Sequence, residues 1–121
     1  MIKYLLDTNI CIYIIKKKPL QVIHKLQSLD IADVGISTIT LSELEYGIAK
    51  SSQPERNKIA LAKFLAPIEI LEFDDLAAQS YGHIRATLEQ QGKTIGPLDT
   101  LIAAHAYALE CTLVTNNTKE F

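Results

Sequence analysis

Four short apolar runs, Ile2–Leu6, Val34–Ser37, Ile68–Glu72 and Thr112–Thr115, alternate with longer stretches of helical periodicity, and this alternation constrains the fold more than any other feature. The runs are partly β-branched and too short for helices, so they read as buried strands. Their order is strand then two helices, three times over, closed by a fourth strand. Strands separated by helices pair in parallel through crossovers and are covered on both faces. The expected fold class is therefore α/β, a three-layer α/β/α sandwich around a parallel central sheet.

Local punctuation agrees with this order. Pro19 falls at the start of the second helix and Pro54 opens the segment PERNKIALAKFLA, both favoured places for proline. Asp74 and Asp75 can cap the helix through Ala77, Tyr81, Ile84 and Leu88, which stops near Gly92.

A chain of 121 residues, 48% of them hydrophobic, supports one domain with a real core, here residues 1–121. It holds no run of 18 apolar residues, and Asp7 and Asn9 interrupt the apolar N-terminal segment, which also lacks a small-residue cleavage site. Neither a membrane span nor a signal peptide is expected, and the cytoplasm is the expected compartment. Cys11 and Cys111 show no CxxC spacing and read as small buried apolar residues. A net charge of −2 argues against a general polyanion-binding surface but not a local one. The Lys16–Lys18 run fits a solvated helix end and an RNA contact equally.

The chemistry lies in acidic and amide residues near the strand ends: Asp7 in LLDTN, Glu43 in TITLSELEYG, Asp99 in IGPLDTLIAAHA, and Asn117 and Glu120 in LVTNNTKEF. Taken singly, each has an ordinary explanation. Asp7 can N-cap the helix through Ile10 and Ile14, Thr40 to Glu43 fits a capping box, and Asp99 falls in a first turn after Gly96-Pro97. Taken together they crowd negative charge at one end of one sheet, because parallel strands end on a common edge. Such crowding is costly unless something positive sits there.

Asp99 also shares a helical stripe with Ile102, Ala103 and Ala106, which turns it toward the sheet. Gly47, one turn past Glu43, costs ~1 kcal/mol relative to alanine in mid-helix and points to a close backbone approach. Hard oxygen donors without cysteine or histidine suit Mg²⁺ or Mn²⁺. Such an ion favours hydrolysis of a phosphodiester without a covalent intermediate. Thr8 and Asn9 are placed to orient Asp7, and Thr115 to bond a carboxylate or a ligand water; capping and turn chemistry explain them equally well. The five tyrosines could include a base-stacking platform, although helical spacing suits core or interface as well.

At these residues the chain resembles the PIN-domain ribonucleases, and among them the VapC toxins of bacterial type II toxin–antitoxin pairs. LLDTN, ITLSELEYGIAKS, PERN, GPLDTLIAAHA and LVTNNTKEF carry the resemblance, in order and over nearly the whole chain. It implies a PIN-like fold and Mg²⁺-dependent RNA cleavage, with Mn²⁺ able to substitute. Asp7 and Asp99 match the principal metal-binding aspartates, Glu43 the third acidic position, and Asn117 or Glu120 the fourth. It further implies a tRNA substrate, with initiator tRNA the best-known target, a VapB-type antitoxin and a homodimer. Similar chains usually continue past the position of Phe121 with a further short strand and tail, so a truncated C-terminal end and a naturally short one are both open.

Two readings from other classes compete. A receiver-like signalling domain has a similar size and a Mg²⁺-binding acidic site at strand ends, but it pairs acidic residues after its first strand, and here only Asp74 after the third echoes it. A catalytically inactive PIN-like binding module is the other, and the intact Asp7, Glu43 and Asp99 speak against it.

Overall fold

In a computed structural model, which describes residues 1–116, the chain runs β1 (Tyr4–Leu6), α1 (Thr8–Lys16), α2 (Leu20–Leu26), β2 (Val34–Ser37), α3 (Thr38–Ala49), α4 (Pro54–Leu65), β3 (Glu69–Leu71), α5 (Asp75–Gln90), α6 (Pro97–Leu109) and β4 (Thr112–Val114). A single 3₁₀ turn, Ile31–Asp33, precedes β2. The four strands form one parallel sheet in the order β3-β2-β1-β4, as the alternation of strands and helices requires. Each strand is shorter than its apolar run except β2, because pairing holds only where neighbours overlap.

Register fixes what the sheet edge presents. Leu6 pairs with Val114, and Ser37 with Leu71. The Asp7 amide extends the ladder by donating to the Val114 carbonyl at 3.1 Å. Asp7, Ser37 and Thr115 therefore leave the sheet at the same, C-terminal, edge.

The core lies on both faces, with β1 between them. Successive strand residues point to opposite sides. Leu6 packs with Ile10, Cys11, Leu44, Ile48 and Leu61, so α1, α3 and α4 cover one face. Leu5 packs with Ile102 and Ala106 of α6 on the other, and α5 packs chiefly on α6. That completes the three layers.

Helix starts and stops follow local chemistry. Asp7, Ser37 and Asp74 N-cap α1, α3 and α5 through side-chain oxygens. Pro54 and Pro97 open α4 and α6, whereas Pro19 lies one residue before α2, as its N-cap. The capping box expected at Thr40 is not formed, because α3 begins two residues earlier, at Thr38. Thr40 is thus a buried residue inside the helix, and its hydroxyl finds no hydrogen-bond partner among the described residues. Gly47 also departs from expectation: a Cβ there would meet nothing within 4 Å. The close approach occurs at Gly35 instead, where a Cβ would lie 3.0 Å from both the Glu69 carbonyl oxygen and Leu71 Cδ1.

Candidate active site

Asp7 is the most buried carboxylate among the described residues. It is 3% exposed, its Oδ1 accepts the Ile10 amide at 2.9 Å, and its Oδ2 accepts the Thr115 hydroxyl from the neighbouring strand end. Capping fixes one oxygen and the β4 edge the other, so its orientation is set from two elements. The two ion pairs among the described residues, Lys3–Asp33 and Arg85–Glu89, involve neither Asp7 nor Glu43. A buried carboxylate held by neutral donors favours a cation when one is offered.

Glu43, in the second turn of α3, is half-buried. Its Oε1 accepts the Thr8 hydroxyl at 2.7 Å, which ties α3 to the first residue of α1, next to Asp7. Thr8 thus holds Glu43 and not Asp7, while Asn9 is exposed. Asp99 lies half-buried in the first turn of α6, with Oδ2 3.7 Å from where a Cβ on Gly96 would stand. Gly96 leaves that helix start open and makes no side-chain cap of its own. Asn117 and Glu120 lie outside the described residues.

Among the described residues, no three histidine, cysteine, aspartate or glutamate side chains are grouped so as to enclose an ion. Magnesium does not require such a cage: it is commonly held by one or two carboxylates and completes its shell with water and substrate oxygens. Asp7 and Glu43, all-oxygen and linked through Thr8, fit that kind of site.

The cysteines supply no competing chemistry. Both thiols are free. Burial, and then the Asp7 charge one turn away, push the Cys11 thiol far above its ordinary range, and burial raises Cys111 as well. Protonated thiols are poor nucleophiles. Of the tyrosines, Tyr46 and Tyr107 are exposed while Tyr4, Tyr13 and Tyr81 are half-buried. Tyr46 lies one turn past Glu43, with the Lys50 ammonium 4.8 Å from its ring centre.

One arrangement was not anticipated from the sequence. His105, on α6, is 1% exposed and its Nδ1 stands 2.8 Å from Ser37 Oγ at the end of β2. The only sequence signals are a histidine amid alanines on a buried stripe and a serine preceding a helix.

A parallel four-stranded sheet of this order, with carboxylates at its C-terminal edge and helices on both faces, defines a class of α/β nuclease-like domains. The chain belongs to the PIN domain family, whose model matches residues 4–121. It is 46% identical over all 121 residues to the tRNA(fMet)-specific endonuclease VapC of Shigella flexneri, covering 91% of that protein. It is 47% identical over 119 residues to Ribonuclease VapC2 of Rickettsia felis, covering 98% of this chain and 89% of the relative. Among solved structures, DNA-bound VapBC from Salmonella typhimurium superposes with a TM-score of 0.92 at 44% identity, covering 100% of this chain and 91% of that one. This membership displaces the receiver-like alternative. Asp74, its one echo, is an exposed N-cap that accepts the Ala77 amide at 3.0 Å.

Proposed function

We propose that this chain is the toxin of a type II toxin–antitoxin pair, an endoribonuclease that hydrolyses RNA phosphodiesters using a divalent ion held by Asp7, Glu43 and Asp99. The observation that carries the reading is the buried Asp7 carboxylate, aimed by the Ile10 amide and the Thr115 hydroxyl beside a Glu43 anchored by Thr8. The ion is Mg²⁺, with Mn²⁺ as a substitute, since the donors are all hard oxygens. When bound, it supplies positive charge for the scissile phosphate and eases deprotonation of the attacking water.

The chain's own residues hold the geometry. Asp7 cannot rotate away without breaking its cap and its tie to β4, and Thr8 prevents Glu43 from swinging into solvent. Asp99 brings a further carboxylate on α6, and Asn117 or Glu120 completes the set. With each donor preset, little reorganisation is required when substrate arrives.

The substrate is tRNA, with the initiator species first, in keeping with the names of relatives at 45–46% identity, and its cleavage stops translation in the cytoplasm. The protein acts as a homodimer and is neutralised by a VapB-type antitoxin. A groove of about 310 Å³ beside Glu43, lined by Ile12, Ile15, Leu44, Ile48 and Leu61, suits an apolar antitoxin segment. Among the described residues no helix is long and apolar enough to cross a membrane.

The test is incubation of purified total tRNA with the wild-type chain and with Asp99→Asn, in Mg²⁺ and then in EDTA. Discrete fragments from wild type with metal alone are expected, and their ends identify the target. Absence of cleavage with any divalent ion would refute the nuclease reading in favour of the binding-module one.

A further inference from the structure

The helices carrying Glu43 and Asp99 are also joined by a buried polar contact that uses none of the carboxylates. Ser37 Oγ, 0% exposed, accepts the Ile39 amide at 3.0 Å and so starts α3; the same oxygen stands 2.8 Å from His105 Nδ1. His105 is six residues, about 9 Å of helix, beyond Asp99 on α6. A third connection closes on the same point. Phe73, between β3 and α5, sets its ring edge-on to the imidazole at 5.4 Å and 77°, and its amide donates to Thr38 Oγ1 at 3.2 Å, on the first residue of α3.

Ser37 Oγ accepts from Ile39 and keeps both its proton and a second lone pair, so it can donate to Nδ1 or accept from it according to the imidazole tautomer. Nε2 is buried and meets no partner at full hydrogen-bond geometry among the described residues, while the Glu72 carbonyl favours a proton on the ring. A leucine would fill the space but could not bond Ser37 Oγ, so that bond is a contact histidine adds at this position.

We infer that His105 is a positioning residue for the metal site: through Ser37 it fixes the start of α3 against α6, and thereby the separation of Glu43 from Asp99. The inference rests on the metal-dependent reading above and deepens it. Outer partners of this kind orient ligands they do not touch, and their loss commonly costs roughly 10–100-fold in metal affinity or activity.

The test is Mn²⁺ titration by calorimetry, without RNA, alongside tRNA cleavage and far-UV circular dichroism on the full chain. His105→Leu and Ser37→Ala are each expected to weaken Mn²⁺ binding by about tenfold while keeping the wild-type spectrum. His105→Asn, whose amide can meet Ser37 from near the Nδ1 position, is expected to recover affinity to within about threefold of wild type, and to lose that rescue in a Ser37→Ala background. Folded His105→Leu and Ser37→Ala proteins with wild-type Mn²⁺ affinity would overturn the inference. If His105→Leu does not fold, Ser37→Ala and the asparagine rescue decide it in the same way. A wild-type chain that neither binds Mn²⁺ nor cuts tRNA would instead remove the functional reading on which the inference rests.

Discussion

At the residue scale, a cap and a metal ligand are the same side chain. Asp7 uses one oxygen for the Ile10 amide and the other for Thr115, so the capping role read from the sequence is part of how the carboxylate is aimed. The two readings are therefore separable by substitution. Asn caps a helix as well as Asp does, whereas Ala costs about 1 kcal/mol at an N-cap. Asp7→Asn should melt within a few degrees of wild type but lose cleavage by at least ~100-fold, beyond the usual cost of an outer-sphere change. Asp7→Ala should lose both activity and stability, as seen by thermal melting beside a tRNA cleavage assay.

His105 gives a pH dependence at the same scale. Burial lowers its pKa from the ordinary 6.5, while the Asp74 carboxylate and the Glu72 carbonyl act in the opposite direction. The folded state thus resists a proton that the unfolded chain accepts. Its contribution to stability is complete above 6.5 and is lost as the pH falls from there through the folded value. Melting temperature should drop between pH 7.5 and 5.5 more steeply in wild type than in His105→Asn; equal slopes would remove His105 from the account.

At the element scale, the two glycines most relevant to the helices and strands around the site behave oppositely. Gly35→Ala would press a methyl group into the Glu69 carbonyl and Leu71, parting β2 from β3, and should cost about 1–3 kcal/mol. Gly47→Ala meets open space inside α3 and should stabilise by ~1 kcal/mol. Urea denaturation of the two variants checks the signs. Two alanine variants shifting the midpoint the same way would contradict the packing described.

The order of elements was legible in the sequence because a period of two and a period near four are hard to confuse over such lengths. The start of α3 was less legible: Thr40 was read as its cap, but Ser37, read only as the end of a strand run, caps the helix by accepting the Ile39 amide. Gly47 misled because a mid-helix glycine signals close approach only if a neighbour is present, and that neighbour is a tertiary fact.

At the scale of the whole molecule, the sheet order β3-β2-β1-β4 puts β1 between β2 and β4, so Asp7 emerges between the strand ends that deliver Ser37 and Thr115. Asp99 enters from α6 on one face and Glu43 from α3 on the other. That Asp7 leaves the sheet at the common edge was readable from the rule that parallel strands end on one edge, while a grouping of three carboxylates is not found among the described residues. The partner of each carboxylate was not readable: Thr8 was expected to serve Asp7 and instead holds Glu43, because α1 turns its first residue toward α3. The Ser37–His105 contact joins residues 68 positions apart, and no local pattern announces a pairing at that separation.

The central claim is that this sheet edge holds a divalent ion through Asp7. It is tested most directly by calorimetric titration of Mn²⁺ into the wild-type chain and into Asp7→Asn, both folded and free of RNA. The account predicts a saturable site in wild type whose affinity falls by ~10-fold or more in Asp7→Asn. Equal binding by the two proteins would contradict it.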